Sequence, residues 1–155
     1  MKKYLDVLLL GVAAFFGVMI FVFMALPGIV GNFGILGTSS INVYKSMEEA
    51  GGIVVAFIFM ILAFLVAACL LTFKLLAKFG KAKVEIPFAE FICLGAALLA
   101  FVAFILYWFI ETMYFDGSTS DAFTLGVGTV LCALSGLFVA ASLGGYGLLK
   151  VLKKL

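Results

Sequence analysis

Apolar side chains run almost unbroken through four stretches of this sequence, about Tyr4–Leu26, Gly51–Leu76, Phe88–Tyr114 and Ala122–Leu149, and polar residues collect between them. About 20 consecutive apolar residues in a helix cross a hydrocarbon layer of roughly 30 Å. Each stretch therefore predicts a transmembrane helix, and the intervals are too short for a separate soluble domain. The expected fold class is an all-α integral membrane protein, an antiparallel bundle of four transmembrane helices. It forms a single domain over 1–155, with outer loops at 28–50 and 115–121 and an inner loop at 77–86.

Composition agrees with this pattern, since 66% hydrophobic and 12% charged residues lie well outside the range of soluble domains. The Met1-Lys2-Lys3 start followed by an apolar run is superficially like a secretory signal. Its apolar part is longer than a signal core of about 7–15 residues and no small-x-small cleavage site follows, so it reads as an uncleaved first span. Lysine placement then predicts orientation. Lys2, Lys3, Lys74, Lys78, Lys81, Lys83, Lys150, Lys153 and Lys154 fall on one side of the layer and Lys45 on the other. The positive-inside rule puts both termini and the Lys74–Glu85 connection in the cytoplasm. Glu48, Glu49, Glu111, Asp116 and Asp121 are left on the outer side. Lysine supplies every basic residue, a usage associated with AT-rich genomes, which points to the cytoplasmic membrane of a bacterium.

Local signals mark the ends of the helices. Pro27-Gly28 stops the first span. The loop that follows repeats glycine at every third position, Gly28, Gly31, Gly34 and Gly37, with apolar residues between. It reads as an ordered interfacial loop and candidate outer recognition surface, ahead of a re-entrant pore element. Ser46-Met-Glu-Glu49 has capping-box spacing and predicts that Ser46 opens the second helix. Gly80 suits the position just past that helix, and Pro87 suits the first turn of the third. Ser118 and Asp121 repeat the capping-box spacing before the fourth. Asp6 before Leu10-Gly11 parallels Glu90 before Leu94-Gly95, and Lys74/Lys78 parallels Lys150/Lys154. A true duplication would make the two helical hairpins a parallel repeat, but the remaining positions match little better than apolar composition predicts.

Five features bear on chemistry. Gly128, Cys132, Gly136, Ala140 and Gly144 recur at every fourth position and make a ridge of small side chains. Such a ridge permits close helix contact, either inside the bundle or against a second copy or partner helix. Asp6, Glu90 and Glu111 are the acids nearest the spans; each reads as an interfacial charge, and otherwise as a functional acid. Tyr107, Trp108, Tyr114 and Phe115 predict an aromatic band at one surface, where Glu111, Asp116 and Asp121 are scattered acids without the spacing of a metal loop. The mid-span polar residues are essentially Thr129 and Ser135, with Thr72 towards an edge, and a hydroxyl there usually bonds a carbonyl one turn back. Cys69, Cys93 and Cys132 lie within spans and read as small packing residues.

Histidine is absent, which excludes Ser-His and Cys-His nucleophiles and HExxH metal sites. No phosphate-binding glycine loop occurs. Catalytic, cofactor and metal sites are therefore not expected, and nucleic acid is not implied. The layout, with a longer first outer loop and a short second one, resembles the tetraspan arrangement of claudin and MARVEL-type proteins. The Trp-x-x-Trp and cysteine pair of the claudin outer loop are missing, Trp108 being the sole tryptophan. The resemblance is one of topology. The expected function is that of a small non-enzymatic structural, accessory or assembly component. Its expected partners are membrane lipids and other membrane proteins or a second copy. The alternatives are an oligomeric channel or transporter for a small solute and a lipid-modifying membrane enzyme.

Overall fold

A computed structural model describes residues 4–32, 34, 37–80, 86–114 and 123–152. In chain order the elements are α1 (Leu5–Phe23), β1 (Pro27–Asn32), β2 (Thr38–Asn42), α2 (Val43–Ser46), α3 (Gly51–Lys78), α4 (Ala89–Trp108), α5 (Ile110–Tyr114), β3 (Phe123–Leu125) and α6 (Val127–Val151). The four long helices α1, α3, α4 and α6 are each long and apolar enough to cross a membrane.

Spacing explains how they associate. The buried positions of α1 are Leu10, Ala13, Gly17 and Ile20, and those of α3 are Ile53, Ala56, Met60, Ala63, Ala67 and Leu70. Along α4, Cys93, Ala96, Ala100, Ala103 and Tyr107 continue the same alternation of threes and fours. Alternating threes and fours is the spacing of a seam between closely aligned helices. Each helix packs on its neighbours in sequence, and α6 closes the ring onto α1. Large side chains such as Leu8, Phe15, Leu65, Phe91 and Leu98 remain on the outside.

The fold is mostly, but not purely, helical. At one end of the bundle the two connections between helices form a three-stranded antiparallel sheet in the order β2-β1-β3. The central strand β1 pairs Val30 with Ser40 on one side and with Thr124 on the other. The glycine repeat hid this hairpin, because its polar and apolar residues do not alternate cleanly. Its glycines have separate roles. Gly34 (φ 61°) and Gly37 (φ 92°) take left-handed conformations in the turn, closed by the Gly37 amide donating to the Gly34 carbonyl at 3.1 Å. Gly31 sits buried within β1, and Gly28 lies so close to Val43 that a Cβ would come within 2.9 Å of its side chain.

Three local expectations are corrected. Ser46 does not open α3: it ends the short α2, where its hydroxyl donates to the Val43 carbonyl at 2.7 Å, and α3 starts at Gly51. The cap is Asn42, whose side chain accepts from the Lys45 amide at 2.8 Å to open α2. Pro87 precedes the first turn of α4 by one further residue, because Phe88 occupies the capping position with φ 59°. The start of the fourth apolar run, Phe123–Leu125, is strand, and α6 begins only at Val127. Gly80 does follow α3, at φ 70°, and its amide donates to the Ala77 carbonyl. Ser118, Asp116, Asp121 and Phe115 lie outside the described residues, as do Lys2, Lys3, Lys81, Lys83, Lys153 and Lys154.

Candidate functional site

The two ends of the bundle differ in chemistry. One end carries the start of α1 and α4 with the end of α3 and α6, and it gathers four charges into two ion pairs. Lys74 Nζ donates to Asp6 Oδ2 at 3.0 Å, joining α3 to α1. Lys150 Nζ lies 3.5 Å from Glu90 Oε2, joining α6 to α4. Each acid sits in the first turn of its helix, where the helix dipole favours negative charge, and each lysine lies near a C-terminus, where it favours positive charge. Lys78 adds a further contact, its amine 4.2 Å from the centre of the Tyr4 ring.

Between α3, α4 and α6 this end opens into a cleft of about 710 Å³. Leu70, Phe73, Ala77 and Ile86 supply apolar walls, Phe88 stands at the mouth, and Lys74, Glu90 and Lys150 supply the charges. At its inner side is Tyr146, almost wholly buried, with Lys74 Nζ 5.9 Å from its ring centre. The sequence offered Asp6 and Glu90 as separate acids; the fold places both at this end, each with a lysine. Tyr146 was missed, because nothing in an apolar run marks one aromatic as facing a cleft. Glu111 is not part of this group. It lies half-buried in α5, at the sheet end.

At the sheet end the small-residue ridge meets the strands. Gly126 and Gly128 bring the start of α6 against the backbone of Leu26 and Pro27, leaving no room for a Cβ at either position. The Gly126 amide (2.8 Å) and the Thr129 hydroxyl (2.7 Å) both donate to the Gly28 carbonyl. Thr129 thus departs from the expected local bond. Ser135 and Thr72 follow it, donating to Leu131 and Ala68 one turn back at 2.8 Å each. Further along, Cys132 is fully buried and Gly136 sits where a Cβ would lie 3.1 Å from the Ala100 carbonyl of α4. Ala140 and Gly144 are half-buried, with Gly144 facing Ala97. Stepping four residues at a time drifts around a helix of 3.6 residues per turn, so the ridge begins inside the bundle and ends at its rim.

Tyr107 corrects the aromatic band. It is fully buried and donates to Met24 Sδ at 3.8 Å, while Trp108 and Phe109 face outward. Beyond α4, burial and the carboxylate of Glu49 push the Tyr114 phenol above its ordinary pKa. Cys93 and Cys132 are buried and Cys69 is exposed, all three as free thiols. No group of acids, cysteines or histidines arranged to hold a metal occurs among the described residues. No family model, no curated protein and no solved structure significantly matches this chain.

Proposed function

We propose that this chain is a multi-pass protein of a bacterial cytoplasmic membrane, with its lysine-bearing end in the cytoplasm and its sheet outside. In this reading it acts without chemistry of its own, as a structural or accessory component that joins other membrane proteins or a second copy. The observation that carries the reading is the sheet. It ties the connections from both halves of the chain into one cap, anchored to α6 by Thr129 and Gly126. Its outer strand β2, Thr38-Ser-Ser-Ile-Asn42, is largely exposed and carries no proline or charge within it. An edge strand of that kind presents unpaired amides and carbonyls on which another strand can be added.

The interior supports the same reading over transport. The buried polar side chains among the described residues are Ser46, Thr129, Ser135 and Ser142, and no charged residue is among the buried ones. The first three hydroxyls donate to backbone carbonyls, which commits the one O–H that each could give a solute.

Cross-linking in native membranes, followed by purification in mild detergent and mass measurement, tests the role. The wild type is expected in a defined larger species. Placing lysines on the strand edge (Ser39→Lys with Ser40→Lys) is expected to reduce that species by ~10-fold, about 1.4 kcal/mol of contact, with the helices intact by circular dichroism. A strictly solitary wild-type protein contradicts the role.

A further inference from the structure

We propose that the cleft at the lysine-bearing end holds the phosphoethanolamine headgroup of a phospholipid, the phosphate on Lys150 and Lys74 and the primary ammonium on Glu90. The inference rests on the helices spanning a bilayer and is independent of the assembly role.

Charge balance selects the ligand. Lys74, Lys150 and Glu90 line the cleft, Lys150 already paired with Glu90 and Lys74 with Asp6, which stands outside the lining. A simple anion has to compete with these acids and leaves Glu90 without a partner, which is costly in a half-buried site. A zwitterion exchanges partners one for one. The Lys150–Glu90 pair is suited to this exchange, being the longer of the two at 3.5 Å, with side chains 36% and 27% exposed. Lys74 has three N–H donors, so it can keep Asp6 at 3.0 Å and still reach a phosphate. A quaternary trimethylammonium has no N–H to donate to Glu90, which separates a primary amine from choline.

Shape and position fit a lipid. At about 710 Å³ the cleft is of ligand-binding size. Leu70, Phe73 and Ile86 supply apolar surface beside the charges of Lys74, Glu90 and Lys150, the two kinds of surface that a lipid's chains and headgroup require. It lies at the helix ends, the depth at which a headgroup sits if the helices span the layer. Phe88, 70% exposed at the mouth, is held at φ 59° while its carbonyl accepts from the Phe91 and Ile92 amides at 3.0 Å each. A bulky residue in that region of backbone space is rare. Here the residue that adopts it also lines the cleft.

Native mass spectrometry reads the outcome. The purified full-length protein is equilibrated with mixed micelles of equal phosphatidylethanolamine, phosphatidylcholine and phosphatidylglycerol bearing the same chains. Retained phosphatidylethanolamine is expected to exceed each of the others by ~10-fold, the worth of one charged hydrogen bond. Glu90→Gln is expected to reduce that preference to within about twofold. Ala77→Trp, which fills the cleft and leaves both ion pairs in place, is expected to remove retention. Added glycerophosphoethanolamine separates the two sources of this chemistry: no displacement identifies the membrane lipid, and displacement identifies the free headgroup. Equal retention of the three lipids, preference for phosphatidylcholine or phosphatidylglycerol, or an unchanged preference in Glu90→Gln overturns the proposal. A solitary protein that still selects phosphatidylethanolamine removes the assembly role and leaves this one standing.

Discussion

Gly136 and Gly144 belong to the same four-residue repeat, yet their surroundings differ enough to give opposite outcomes on substitution. A Cβ at Gly136 would meet the Ala100 carbonyl and the Phe104 amide at 3.1 Å, both backbone atoms with little freedom to yield. Gly136→Leu is expected to cost about 1–3 kcal/mol or more by over-packing, seen as a lower midpoint of thermal unfolding in detergent. A Cβ at Gly144 meets only the Ala97 methyl at 3.6 Å, an ordinary contact. Gly144→Ala should change stability by no more than about 0.5 kcal/mol, with the helix favouring alanine. Equal effects at the two positions would contradict the inward placement of the ridge. Thr129→Val probes the anchor of the sheet. The Gly28 carbonyl keeps its bond from the Gly126 amide, so the loss should stay near 0.5–1.5 kcal/mol, or about one hydrogen bond.

At the scale of elements, four helices were legible because a membrane solvent demands long uninterrupted apolar runs, and the chain supplies them. Their ends were less so. The end of α3 just before Gly80 was legible, but α4 breaks at Phe109 before resuming as α5, an interruption that continuous hydropathy from Phe88 to Tyr114 conceals. The sheet was invisible for a further reason. Strands of three to six residues are fixed by pairing partners far apart in sequence, and β3 finds β1 across the whole of α3 and α4. Among the site residues, Asp6 and Glu90 were visible as charges near apolar runs, but their lysine partners were set by helix length and direction. Those pairs should be weak contributors, being partly exposed. A double-mutant cycle on Asp6→Asn and Lys74→Met is expected to give a coupling of about 0–1 kcal/mol, shrinking as salt is raised. A coupling that is large and insensitive to salt would show a buried pair instead.

For the molecule as a whole, the two halves answer each other in packing. The buried positions Ile53, Ala56, Met60, Ala63, Ala67 and Leu70 of α3 recur in α6 as Thr129, Cys132, Gly136, Val139, Leu143 and Tyr146, at the displacement that carries Lys74 onto Lys150. Leu10, Ala13, Gly17 and Ile20 recur in α4 as Cys93, Ala96, Ala100 and Ala103, and the same step carries Met24 onto Tyr107, its hydrogen-bond donor. Asp6 and Glu90 depart from that step by one residue, and heptad spacing alone produces such a correspondence. The likeness is therefore one of packing, with the sheet breaking it: the first half contributes two strands and the second one. If the proposed topology holds, a bilayer lies between the sheet and the two ion pairs. The direct measurement is cysteine labelling in intact cells, in a background where Cys69, Cys93 and Cys132 are replaced by alanine. A membrane-impermeant maleimide is predicted to label Lys45→Cys at once, and Lys78→Cys only after the membrane is opened. Labelling of both positions from outside, or of neither, would contradict it.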